Sequence, residues 1–78
     1  MSACPISNTI RKHRFNQSEM TQDALAKKVG VTRQTIIAIE SAKYSPSLEL
    51  AFRIARVFNT TVEEVFTYQP IENERESP

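Results

Sequence analysis

Glycine is almost absent from this chain, with Gly30 the only one. A loop that cradles a phosphate in backbone amides needs several glycines, so that mode of nucleotide binding is excluded. Cysteine is as scarce. Cys4 stands alone, which rules out an internal disulfide and makes a reducing cytoplasm the simplest compartment. His13 is the single histidine, nine residues after Cys4. No third group is positioned beside them and no metal-ligand cluster is spelled out. Catalysis, a metal and any other cofactor are therefore not expected. Tryptophan is missing, and no apolar run approaches the ~18 residues that mark a membrane span. The opening stretch MSACPISNTIRKHR lacks the apolar core of a secretory signal.

What is present points to one small helical domain. A chain of 78 residues has a marginal core as a lone monomer, so oligomerisation is expected. Net charge is only +1, but it is unevenly spread. Residues 1–44 carry seven Lys/Arg against three acids, and residues 45–78 carry three Arg against six Glu. A basic half suits a polyanion, and an acidic half suits the side turned away from it. Apolar residues recur at helical spacing. Helices are expected over residues 8–16, 22–29, 33–41 and 48–58, the last burying Leu48, Ala51, Ile54, Ala55 and Phe58. Pro46 forbids a helix through the loop at 42–46. Thr61-Val62-Glu63-Glu64 reads as a capping box opening a short fifth helix. Phe66-Thr67-Tyr68-Gln69 alternates like a short strand. Residues 71–78 read as a charged, disordered tail beyond a domain of residues 1–70.

The most informative stretch is Thr21 to Glu40, TQDALAKKVGVTRQTIIAIE. Thr21 caps an amphipathic helix with Leu25, Ala26 and Val29 on one face. Gly30 stops it, Val31 plugs the turn into the core, and Thr32 caps a second helix with Ile36 and Ile39 inward. Ala26 is small where the two helices must approach. Two short helices joined by a Gly-containing turn are the helix-turn-helix signature.

From about Ile10 to Phe66 the chain resembles the Cro and phage-repressor type of helix-turn-helix, a family of small bacterial and phage transcriptional regulators. The resemblance is carried by Met20-Thr21-Gln22, Gly30-Val31-Thr32-Arg33-Gln34-Thr35-Ile36, Ile39-Glu40, Lys43-Tyr44-Ser45-Pro46-Ser47-Leu48 and Ile54-Ala55. The ending Glu63-Glu64-Val65-Phe66-Thr67-Tyr68-Gln69-Pro70 is similar to a compact subfamily that includes the small cytolysin-operon repressor. Four positions depart from the pattern. His13 replaces a usual Leu, Ser18 replaces a usual Gly, Glu19 is one residue extra, and Ala42 stands where a Gly commonly ends the recognition helix.

The resemblance implies an all-α, five-helix fold whose late strand pairs with the segment Pro5-Ile6-Ser7. It implies double-stranded DNA as the partner and the third helix as the reader. Arg33, Gln34, Ile37 and Ala38 would then face base edges. Arg33 can fork onto guanine or hold a phosphate. Ile37 can meet a thymine methyl or pack on Tyr44. Gln22, Thr32, Lys43 and Tyr44 become phosphate ligands, with Thr32 equally a helix cap. Arg14 and Glu40 match positions that pair across the first and third helices. A homodimer is expected, with Val62, Val65, Phe66 and Tyr68 at its interface because they are least accounted for by a monomer core. No small-molecule effector and no membrane partner are expected. The reading is a sequence-specific regulator, a repressor at an inverted repeat. The alternative is an antitoxin-like interaction module whose DNA binding depends on a partner.

Overall fold

The computed structural model describes residues 5–69. In chain order the elements are β1 (Ile6–Asn8), α1 (Ile10–Asn16), α2 (Gln22–Val29), α3 (Arg33–Glu40), α4 (Leu48–Val57), α5 (Val62–Val65) and β2 (Phe66–Tyr68). Among the described residues no helix is long and apolar enough to cross a membrane.

Four of the five helices begin in the same way. The hydroxyl oxygens of Thr21, Thr32, Ser47 and Thr61 accept from the amides of Ala24, Thr35, Leu50 and Glu64 at 3.0, 3.2, 3.1 and 3.2 Å. Each cap satisfies an amide that the helix itself leaves orphaned and contributes about 1 kcal/mol. For elements this short, that sum and the apolar face decide whether a helix forms at all. The apolar faces meet in one core. Ile10, Leu25, Ile36 and Ile54 are fully buried, joined by Ala26, Val29, Ile39, Leu50, Ala51, Ala55, Phe58 and Val65. Each large aliphatic side chain there contributes about 1.5–3 kcal/mol by leaving water.

α1 starts later than the sequence suggests. Asn8 belongs to β1, where it pairs with Phe66. Its side chain is used twice: Oδ1 accepts from the Ile10 amide at 3.1 Å, and Nδ2 donates to the Ile39 carbonyl at 2.8 Å. One asparagine therefore caps α1 from two residues upstream and ties β1 to α3. The expected strand pairing is present. β1 and β2 are antiparallel, with Ile6 opposite Tyr68 and Ser7 opposite Thr67. The Gln69 amide extends the ladder to the Pro5 carbonyl at 2.8 Å.

Leu48 is a correction. Its helical angle puts it beside Ala51 and Ala55, but it occupies the first turn of α4 and extends past the packed layer, 73% exposed. Leu50 fills the core instead. Phe58 and Ser41 are buried and exposed C-caps, each one residue past its helix.

Left-handed residues end α2, α3 and α4. Gly30 has φ +81°, and Val31 closes the turn by donating to the Ala26 carbonyl at 3.0 Å. Ala42 at φ +62° and Asn59 at φ +56° do the same for α3 and α4. In both, the following amide (Lys43, Thr60) reaches back five residues, to Ala38 and Ala55, which is the Schellman arrangement. Ser18 and Glu19 are consecutive left-handed residues, both at φ +58°. Gly30→Ala should lower stability by about 1–2 kcal/mol, the ordinary cost of a Cβ in this conformation. That is a drop of several degrees in a thermal melt. The added Cβ would stand 3.4 Å from Arg53 Nη1, and Arg53 holds the last carbonyl of α2, Val29, at 3.2 Å. A melt unchanged by the substitution would contradict the strained turn.

Candidate nucleic-acid interface

α2 and α3 form a unit set by the turn between them. Gly30 ends the first helix and Thr32 opens the second within three residues. Ala26 is 1% exposed where the helices approach, so no larger side chain fits without displacement. Ile36 and Ile39 anchor α3 inward. With those two inside, the opposite face is settled by helical geometry. Arg33 and Gln34 stand exposed in its first turn, and Ile37 and Ala38 lie half-buried along it. Thr32 is exposed and caps α3; its hydroxyl also lies 3.0 Å from that of Thr35. Lys43 and Tyr44 are exposed just beyond the α3 C-terminus, where Tyr44 borders a cleft with Thr35, Val31 and Leu50.

Behind this surface lies the expected ion pair. Arg14 Nε donates to Glu40 Oε2 at 2.7 Å and Nη2 to Oε1 at 3.1 Å, with both side chains 11% exposed. This two-pronged geometry is the strong form of an ion pair. Nη1 also donates to the Met20 carbonyl at 2.8 Å, which fixes the loop between α1 and α2. Gln22 joins the same network, its Nε2 donating to Glu40 Oε1 at 3.2 Å. The resemblance assigns Gln22 to phosphate alone; here it also braces the ion pair, and one amide N–H remains for another acceptor. No residue pattern reveals the Met20 carbonyl, because every residue carries one.

One expected interface residue is misassigned. Val65 is 1% exposed inside the monomer core, so it has no surface to offer a partner. It is the single buried position of α5, and a one-turn helix must spend its inward side chain on its own domain. Val62 and Phe66 are half-buried against the core, and Tyr68 is exposed.

A capped helix pair with a left-handed glycine turn, one helix showing polar forks outward and the other bracing it from within, defines a helix-turn-helix DNA-binding domain. The comparisons with known proteins agree. The profile of the helix-turn-helix family matches residues 10–65, and the chain belongs to that family, of the Cro and phage-repressor type. It is 60% identical over 50 residues to an uncharacterized HTH-type transcriptional regulator of Methanocaldococcus jannaschii, covering 64% of this chain and 76% of that one. A second uncharacterized HTH-type transcriptional regulator, from Methanothermobacter thermautotrophicus, is 55% identical over 58 residues, 73% of this chain and 83% of its own length. The crystal structure of a candidate DNA-binding protein from Bacteroides fragilis superposes with a TM-score of 0.70. It is 24% identical and covers 80% of this chain and 98% of that one, a likeness of fold alone. The protein is a transcription regulator by class and not an enzyme.

Proposed function

We propose that the chain is a sequence-specific repressor that binds an inverted-repeat operator as a homodimer. The observation that carries this is the outward face of α3. Arg33 and Gln34 are exposed at the start of a helix whose inner face and far end are rigidly held. Arg forks onto guanine O6 and N7, and Gln pairs with both edges of adenine. Ile37 and Ala38 follow along the same helix, where an apolar side chain can meet a thymine methyl. Gln22, Thr32, Lys43 and Tyr44 surround this face as hydrogen-bond donors for phosphates, which set register but carry no sequence information. Repression is the simpler mode for such a domain, because occupancy of a promoter is sufficient.

One recognition helix makes too few contacts for high selectivity. Two, related by a two-fold axis and about 34 Å apart, read both halves of a palindrome. An apolar groove of about 350 Å³ supports the pairing. Ile6, Pro46, Leu48, Ala51, Val62 and Phe66 line it, and exposed Leu48 stands over it as an anchor. Tyr68 extends the apolar surface along β2. Leu48→Glu should convert the dimer to a monomer in sedimentation and weaken operator binding at least about tenfold, leaving the helical circular dichroism intact. Footprinting on the protein's own promoter should show two protected half-sites. A stable monomer at tens of micromolar that gives one half-site at full affinity would overturn the reading.

A further inference from the structure

The main chain of α3 is gripped from outside the motif by a side chain of β1. Asn8 is half-buried, and the two polar atoms of its amide act in opposite senses. Oδ1 accepts from the Ile10 amide at 3.1 Å, and Nδ2 donates to the Ile39 carbonyl at 2.8 Å. These partners fix the orientation of the amide, because a flip would set donor against donor and acceptor against acceptor. The backbone beneath it is fixed as well. Asn8 stands opposite Phe66 in the ribbon, and the next amide, Thr9, donates to the Val65 carbonyl at 2.8 Å. Asparagine carries acceptor and donor on separate atoms. A hydroxyl offers a single atom and is too short to span both partners.

The grip falls where α3 needs it. The helix has eight residues, about 12 Å of length, and is entered through the tight turn from Gly30 to Thr32. A short rod entered at one end pivots there unless its far end is held. Ile36 and Ile39 set its depth, but apolar burial is non-directional and opposes such a pivot weakly. Arg14 holds Glu40 through a side chain that can bend. Asn8 holds the helix backbone itself, one residue earlier. Recognition groups must be placed within about 0.5 Å and about 10–20° of their working geometry. The setting of α3 therefore decides whether its outward face meets base edges.

We propose that Asn8 is a positioning residue for base recognition, acting through α3 and not through contact with DNA. The inference rests on the DNA-binding reading above and deepens it, naming a residue that sets selectivity from outside the motif. It also puts selectivity and assembly on one strand. Phe66, the pairing partner of Asn8, lines the groove assigned to the second protomer. A protomer seated there bears on the ribbon that sets α3.

Two variants cut the tie and one serves as control. In Asn8→Ser the hydroxyl can still accept from the Ile10 amide but cannot reach Ile39. Asn8→Asp keeps the acceptor and sets a carboxylate oxygen against the Ile39 carbonyl. Thr9→Val is the control. Thr9 Oγ1 donates to the Glu64 carbonyl at 3.1 Å, so its loss loosens the same junction without touching α3. Fluorescence anisotropy should be run on the footprinted operator and on random duplex, with circular dichroism and a thermal melt for each variant. Both Asn8 variants should lower the ratio of operator to random affinity about fivefold for each half-site, the effect of one ordinary hydrogen bond. A two-fold operator carries the change twice and should lose about twenty-five-fold. The added charge of Asn8→Asp weakens all sequences by the same factor and leaves the ratio alone. Thr9→Val should lower the melting temperature and leave the ratio unchanged. An unchanged ratio in both Asn8 variants, or an equal fall in Thr9→Val, would overturn the positioning role alone. Absence of any sequence preference in the unaltered protein would overturn the regulator reading and the role with it.

Discussion

Arg14→Ala should cost about 3–5 kcal/mol of folding stability, the range for removing one member of a buried pair. That is a large part of the ~5–15 kcal/mol that holds any small domain together. The cost comes from what remains rather than from what is lost. Glu40 would keep a carboxylate that is 11% exposed, with only the Gln22 amide at 3.2 Å to compensate it. The Met20 carbonyl would also lose its donor at 2.8 Å. The double variant Arg14→Met, Glu40→Leu should recover most of the loss, because two apolar groups of similar volume leave no buried charge. Urea melts of Arg14→Ala and the double variant check this. If the double variant were as unstable as Arg14→Ala, the pair would be stabilising in its own right and the argument from the orphaned charge would fail. The double variant should still bind DNA less selectively, since the far end of α3 would no longer be tied to α1.

The second large effect is on recognition. Gln34→Ala should weaken operator binding by about 1–3 kcal/mol for each half-site, the value of one bidentate base contact. A homodimer carries the change twice, so the full operator should lose about 2–6 kcal/mol, while binding to random duplex is almost unaffected. Arg33→Ala should act similarly on sequence choice but also reduce the salt dependence, because it deletes a cation. Selection from a random duplex library, run for each variant, separates the two. A selected sequence unchanged by Gln34→Ala would mean that α3 does not present this face to the groove.

The motif was legible because its chemistry is local. Thr21, Thr32, Ser47 and Thr61 announce helix starts by hydroxyls three residues ahead of the amides they cap. Gly30 announces a left-handed turn, and the spacing of Leu25, Ala26, Val29, Ile36 and Ile39 draws the inner face. The Arg14–Glu40 pair was reached through family resemblance, since 26 residues separate its members. What stayed hidden is non-local. Asn8 carries helix-compatible chemistry but is claimed by a strand partner at Phe66. Val65 looked spare because one helical turn has no periodicity to show which way it faces. Leu48 fits the apolar face by angle and fails by height, at the end of α4 where the packed layer stops. Ser18 and Glu19 are left-handed although neither is a glycine, and only the family's usual Gly at the Ser18 position points to that backbone.

The β1–β2 ribbon joins the two ends of the described chain. Ile6 and Tyr68 are 62 positions apart (68 minus 6), and closing a loop that long costs about 3.7 kcal/mol beyond a constant. Three residue pairs and two anchoring bonds, from Thr9 to Val65 at 2.8 Å and from Asn8 to Ile39 at 2.8 Å, must offset that entropy. The ribbon should therefore exchange its amide hydrogens before the motif helices, which rest on contacts much nearer in sequence. β2 also borders the surface assigned to the second protomer. Association there would hold the clasp shut and shift the local opening equilibrium by mass action. Melting temperature would then climb with protein concentration, and the dilute regulator would be a looser molecule than the one seated on its operator.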